Sequence, residues 1–226
     1  MSDQNIKALN DLLNERRSVR GYLDKPVPED TLKACFEMAQ RSPSNCNTQS
    51  WHVYVASGDT CSRLRTSLVE EVTGGASPTP DFIYFDRFDS THQKRRVKCA
   101  VALYENMGIE RHDREGRGMA MLRNYEFFDA PHVAYICMPK NYDHVNVLDA
   151  GIYIQTLMLA MTAHGISSVA QGALTFYPNP AKEILNIPEH LGVVVGLSFG
   201  YEDESVDANK TIMDRVPLDK SVTFLS

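Results

Sequence analysis

The chain has 226 residues, 43% apolar and 23% charged, which is enough for one sizeable core and short for two independent domains. Its formal net charge of −6 argues against a general nucleic-acid or anionic-membrane binder, so any anion site must be built locally. Five cysteines without a Cys-x-x-Cys pair fit reduced thiols, and the N-terminus lacks a charged stretch leading into an apolar one, so the expected location is cytoplasmic.

Ile6, Leu9, Leu12 and Leu13 recur at helical spacing and predict a helix over about residues 4–17, with Asp3 as its N-cap. It runs into "RRSVR". After the turn-like "LDKPVP", Pro28 can open a second helix with Glu29 and Asp30 in its positive first turn, and Ser42-Pro43 should end it.

"WHVYVAS" alternates as a strand, "DTCSRLRTSLVEEV" reads as a helix capped by Asp59, and "TGGASPTPD" breaks the pattern. Residues of about 75–128 then mix aromatic and charged side chains, which predicts a mobile helical excursion, a lid or a second lobe on the single domain 1–226. "HVAYICM" is a strand. "VLDAGIYIQTLMLAMTAHG" is apolar nearly all round and reads as a buried central helix, too short and too polar-flanked for a membrane span.

"ISSVAQGAL" predicts a short strand, Asn179-Pro180 opens a helix, and "GVVVGLSFGY" is a strand apolar enough for burial on both faces. Residues of about 203–226 form an extended C-terminal arm whose Val216, Leu218, Val222 and Phe224 suit wrapping a partner.

Two clusters could carry chemistry. "RRSVR" gathers Arg16, Arg17, Ser18 and Arg20 at a helix end, either as a solvated basic terminus or as a phosphomonoester clamp, since guanidinium forks match phosphate oxygens. "SPSNCNTQSW" offers Ser44, Asn45, Asn47, Thr48 and Gln49, either as a loop satisfying its own backbone or as donors and acceptors for the edge of a heterocycle. No Rossmann fingerprint, P-loop, nucleophile elbow or metal-spaced histidine pair occurs, so an enzyme of this sequence would draw its reactivity from a cofactor.

Taken in order, "ERRSVRGYLDKPVPEDTL", "AQRSPSNCNTQSWHVYVASG", "GIYIQTLMLAMTAHGISSVAQGAL", "LNIPEHLGVVVGLSFGYED" and "DRVPL" resemble the FMN-dependent nitroreductase family over nearly the whole chain. The excursion with "RNYEFFDAPH" is most similar to the nitrobenzene and nitroarene reductase branch. The resemblance implies an α+β nitroreductase-like fold, with a central, mainly antiparallel sheet flanked by helices, in an intertwined homodimer with FMN at the subunit interface.

It further implies that Arg16, Arg17, Ser18, Arg20 and Arg215 hold FMN, chiefly at its phosphate. Pro43, Ser44, Asn45 and Asn47 reach the partner's cofactor, and Gln171, Gly172 and Ala173 line the ring, with the Gly172 N–H facing flavin N5. NAD(P)H is the implied electron donor. The implied activity is reduction of nitroaromatic compounds in two-electron, ping-pong steps to nitroso and hydroxylamine products.

Arg123, Tyr125, Phe127, Phe128 and Phe176 are the candidate substrate contacts, as walls of a flat slot or, for Arg123, as a cation beside the flavin. Alternatives are a quinone or activated-alkene reductase, a reductive dehalogenase relative, or a flavin storage or sensor protein. The chain departs from many family members at Ser50, where a proline is common, and at Met213, where a lysine often stands.

Overall fold

The structure is a computed structural model describing residues 2–83 and 87–225; Tyr84, Phe85 and Asp86 of the predicted excursion lie outside the described residues. The regular elements are α1 (Ser2–Glu15), α2 (Glu29–Ala39), β1 (His52–Ser57), α3 (Gly58–Thr73), α4 (Ser90–Asn106), α5 (Arg114–Leu122), β2 (His132–Pro139), α6 (His144–Ala163), β3 (Ser167–Gln171), α7 (Asn179–Leu185) and β4 (Leu191–Gly200).

The strands pair antiparallel in the order β1-β2-β4-β3. β2 and β4 are central and buried over nearly their whole length, as their apolar runs predict. Each sheet face carries its own core. Leu64, Leu68, Tyr135 and Leu174 pack on the side of α3 and α7, and Ala39, Tyr153, Leu157 and Phe199 on the side of α2 and α6.

Helix starts differ from the sequence expectations in detail. α1 begins at Ser2, so Asp3 sits in the first turn rather than capping it, and α3 begins at Gly58 with Asp59 likewise in the first turn, where a carboxylate still favours the helix dipole. α6 begins earlier than predicted because Asp143 caps it, accepting the Val145 N–H at 2.9 Å. β3 ends at Gln171, and "GALT" folds as a 3₁₀ turn rather than continuing the strand.

α6 departs from expectation in a second way. Its 20 residues are long and apolar enough to cross a bilayer on length and composition, so it is not too short for a span. It packs instead against α2 and the sheet, burying Asp149, Ala150, Tyr153, Ile154, Leu157, Ala160 and Met161 along one stripe, while Val147 and Leu148 stay exposed. Ile6, Leu9 and Leu13 on α1, and Ile212, Leu218 and Phe224 on the arm, are also exposed, so the single chain leaves a large apolar surface uncovered.

The predicted excursion holds two helices, α4 and α5. α4 is tied to the arm by Lys98 to Asp214 at 3.0 Å and by Asn106 Nδ2 donating to Thr211 Oγ1 at 2.9 Å. The arm is extended apart from 3₁₀ turns at Asp207–Lys210 and Leu218–Lys220.

Candidate active site

"RRSVR" leaves α1 and runs along the free edge of β3. Ser18 bridges Ser168 in parallel sense, and Val19 donates its N–H to the Ser168 carbonyl at 3.3 Å while its side chain enters the core. One parallel contact on an antiparallel sheet thus fixes three basic side chains beside β3.

The arginines have different surroundings. Arg17 donates to the carbonyl of Asn209 at 2.5 Å and pairs with Glu202, so its charge is answered within the chain. Arg16 has no carboxylate partner among the described residues; burial and the neighbouring charge of Arg215 both lower its pKa. Among the described residues, Arg215 donates to the backbone carbonyls of Met213 at 3.0 Å and Asp214 at 3.2 Å, while the Asp214 carboxylate itself is held by Lys98. Arg16 and Arg215, near enough to repel each other, have the donor chemistry to take a phosphate between them.

Arg20 is more deeply placed. Burial lowers its pKa, and among the described residues its guanidinium donates to the Ser18 carbonyl at 3.1 Å. It lines a cavity of about 270 Å³ with Tyr104, Met121, Arg123, Asn124 and Phe128. Asp207 lies on the same cavity, but its carboxylate is taken by Lys210 at 2.5 Å. Tyr104 also lines a wider groove of about 1020 Å³ between α4 and α5.

The end of β3 supplies an open backbone. Gly172 begins the 3₁₀ turn, so its N–H has no acceptor inside that turn, and a Cβ placed on it would meet nothing within 4 Å. Gln171 faces inward: its Nε2 donates to the Asn124 carbonyl at 2.8 Å, and its Oε1 accepts from Ser198. Gln171 is therefore a buried brace that sets where Asn124 and Gly172 stand, and Ala173 packs half-buried on the core beside it.

The loop at 43–50 packs against α6, where the Asn45 N–H donates to Asp149 Oδ1 at 3.0 Å. Pro43, Asn45 and Asn47 are exposed and Ser44 is half-buried, accepting the Gln49 N–H at 2.9 Å. Cys46, Asn47 and Gln49 have φ of 49°, 58° and 48°, a left-handed run that non-glycine residues adopt only when their surroundings enforce it. Within one chain this loop does not close over Arg16, Arg20 or Gly172; its free side chains point outward.

The Nitroreductase family model matches residues 13–201. The chain belongs to that family. It is 39% identical over 221 residues to nitroreductase NfnB of Mycolicibacterium smegmatis, covering 96% of this chain and 93% of that protein. It is 34% identical to a 4-nitrobenzoate reductase of Nocardioides sp., covering 97% and 91% of the two chains. It superposes with a TM-score of 0.95 and 38% identity on the crystal structure of the FMN-dependent nitroreductase NfnB from Mycobacterium smegmatis in complex with NADPH, covering 98% of this chain and 100% of that one.

Within this nitroreductase-family fold, the expected substrate side chains separate. Tyr125 and Phe127 are core residues: Tyr125 packs edge-on to Tyr177 at 5.5 Å, with burial pushing its hydroxyl up to about 12, and Phe127 is fully buried. They are corrected from slot walls to core because the chain turns inward here, with Phe127, Phe128 and Asp129 all left-handed at φ of 57°, 54° and 66°. Phe128 is buried in the same core at 4% exposure, and of the three it alone also lines the cavity at Arg20. Phe176 is half-buried beside the Gly172 turn, and its carbonyl accepts the Thr79 N–H at 2.8 Å.

Arg123 lines the cavity but is not a free cation. Asp129 and Glu126 both bind its guanidinium, at 3.1 Å and 2.7 Å from Nη1, and hydrogen bonding to Asp129 leads in raising its pKa.

Two asparagines escaped the sequence reading. Asn124 shares the cavity with Arg20 and is held by Gln171; in "RNYEFF" it stands among a charge and aromatic rings that dominate the pattern. Asn209 is buried, takes the Arg20 N–H on Oδ1 at 2.6 Å, and donates to the carbonyls of Gly21 at 3.0 Å and Asp203 at 2.9 Å. No motif in "DANK" announces that role.

Proposed function

We propose that this chain is an FMN-dependent nitroreductase that works as a homodimer, taking electrons from NADPH or NADH and delivering them in pairs to nitroaromatic compounds, giving nitroso and hydroxylamine products. The observation that carries the reading is the set Arg16, Arg20 and Arg215, which has no carboxylate partner among the described residues and stands in the same fold as the open backbone of Gly172. FMN, when bound, supplies reversible hydride chemistry.

The residues present fit that cofactor. Arg16, Arg215 and Ser18 hold the phosphate, and Arg20 places a positive charge beside the ring, where it favours electron-rich states. Arg17, answered by Glu202, braces the segment instead of binding the anion. Gln171 and Ala173 fix the strand end, whose Gly172 N–H would be the backbone donor offered to the flavin ring. Pro43, Ser44, Asn45 and Asn47 serve the partner subunit's cofactor, which agrees with their outward placement in one chain.

The exposed apolar residues of α1, α6 and the arm support a homodimer, since burying them is the main favourable term available to association. Phe128 and the α4–α5 groove supply the apolar surface for a nitroarene. A quinone would stack on the same surface, so it is retained as a second acceptor class. Five unpaired thiols suit the reducing cytoplasm.

The test is anaerobic. Purified protein should be yellow, should bleach with NADPH or NADH, and should recolour on addition of nitrobenzene or 4-nitrobenzoate with formation of the hydroxylamine. Yellow protein that neither pyridine nucleotide bleaches would refute the enzymatic reading in favour of flavin storage.

A further inference from the structure

Asp149 is a buried carboxylate that the flavin site as described above does not use. It lies in the second turn of α6, is 3% exposed, and its Oδ1 accepts the backbone N–H of Asn45 at 3.0 Å. Its Oδ2 is buried and has no hydrogen-bond partner among the described residues. A half-satisfied carboxylate inside a protein is costly, so its single bond calls for an explanation.

The same face of α6 holds the other end of the loop. One turn on, Tyr153 stacks on Trp51 with ring centroids 4.9 Å apart and planes 27° from parallel. Trp51 is fixed from its other side, donating Nε1–H to Gln40 Oε1 at 3.2 Å. The segment between Asn45 and Trp51 is therefore clamped at both ends onto one rigid helix, and it is within this clamp that Cys46, Asn47 and Gln49 hold their left-handed backbone. Left-handed non-glycine residues need such enforcement, because each costs of the order of a weak hydrogen bond or more. Within the loop, Ser44 Oγ accepts the Gln49 N–H at 2.9 Å, Gln49 Nε2 donates to the Asn47 carbonyl at 3.2 Å, and the Asn47 and Thr48 N–H groups donate to the Ser44 and Asn45 carbonyls at 3.1 Å and 3.0 Å; all four bonds stay inside the loop and none ties it to the rest of the fold.

We infer that Asp149 is a positioning residue for the flavin site of the partner subunit: by accepting the Asn45 N–H it presets the 43–50 loop, so that Asn45 and Asn47 meet the cofactor without an ordering cost at binding. This rests on the reading that the loop contacts FMN. Asp149 touches neither substrate nor cofactor; it acts through the backbone of Asn45, and the acceptor oxygen matters more than the charge. Preorganisation of this kind shows in affinity, since a loop that must be ordered on binding weakens the complex.

The test compares holoenzyme of the parent with Asp149→Ala, Asp149→Asn and Asn47→Ala, measuring the FMN dissociation constant by flavin fluorescence on dilution and hydrogen exchange of residues 43–51. Asp149→Ala should weaken FMN by about tenfold and speed exchange in the loop. Asp149→Asn keeps an acceptor for the Asn45 N–H and should stay within about threefold of the parent in both readouts. Asn47→Ala should weaken FMN through loss of its side-chain amide; alanine also strains the φ of 58° at this position, so affinity is the readout for this variant. Parent-like affinity or loop exchange in Asp149→Ala, or an Asp149→Asn protein as weak as Asp149→Ala, overturns the inference. Parent-like affinity in Asn47→Ala refutes the loop's cofactor role itself. Weakened binding in Asn47→Ala beside parent-like binding in Asp149→Ala refutes only the positioning by Asp149.

Discussion

Asn209 Oδ1 accepts the backbone N–H of Arg20 at 2.6 Å, although the two residues stand 189 positions apart in the chain. The same asparagine donates to the Gly21 and Asp203 carbonyls, and its own carbonyl takes Arg17 Nη1. The basic segment after α1 and the start of the C-terminal arm are thus one hydrogen-bonded unit. Of the arginines proposed for the cofactor, Arg20 is set by it directly and Arg215 stands on the arm that follows it.

Asn209→Ala should lower stability by about 2–3 kcal/mol, because three backbone groups lose a partner at once, one in a buried hydrogen bond and two in partly buried ones. Flavin occupancy should fall with it. Thermal unfolding of the apoprotein and the visible absorbance of the purified protein measure the two effects separately.

The arginines should divide by their partners. Arg16→Ala and Arg20→Ala remove cations that no carboxylate answers, so each should weaken FMN by roughly 10- to 100-fold while leaving the apoprotein stable. Arg17→Ala strands the Glu202 carboxylate instead, and should lower the melting temperature with a smaller effect on FMN. Equal loss of FMN in all three variants contradicts this division.

Gly172→Ala should fold as well as the parent, since nothing lies within 4 Å of the added methyl and the residue does not need a left-handed φ. Its cost should appear only when the flavin is bound, as lower FMN affinity or slower turnover. Gly196→Ala is the contrast: its methyl would come 2.3 Å from Leu174 Cδ1, so it should destabilise the apoprotein.

Phe127→Ala should cost about 3–5 kcal/mol in unfolding free energy, as expected for emptying a fully buried aromatic site. In protein kept folded at low temperature, KM for a nitroarene should be nearly unchanged. A large KM effect without loss of stability would return Phe127 to the substrate slot.

His132 gives the stability a pH window. Its Nε2 accepts the Val27 N–H at 2.9 Å, its Nδ1 meets Ser57 Oγ at 2.6 Å, and burial holds its pKa below 6.5. The unfolded chain therefore takes up the proton first. The contribution is complete above about pH 6.5 and is lost as pH falls from there through the lower folded value. Melting temperature measured from pH 7.5 down to 5 should decline for the parent, and His132→Gln should flatten that slope while starting from lower stability.

The sequence legibly carried whatever depends on local pattern. Apolar runs located β2, β4 and α6, helical spacing located α1 and α2, and three arginines in five residues with a polar loop marked the segments proposed for the cofactor, since periodicity and residue chemistry are properties of neighbours along the chain. Tertiary structure decided what those residues face. Arg17 and Arg16 are adjacent in sequence, yet only one meets Glu202; Arg123 is neutralised by Asp129; and Tyr125 and Phe127 turn inward on a left-handed bend that no residue in "RNYEFFDAP" announces. Charge compensation and burial depend on groups brought together from distant parts of the chain, so the pairing of Asn209 with Arg20 and of Asp149 with Asn45 became visible only once the chain was folded.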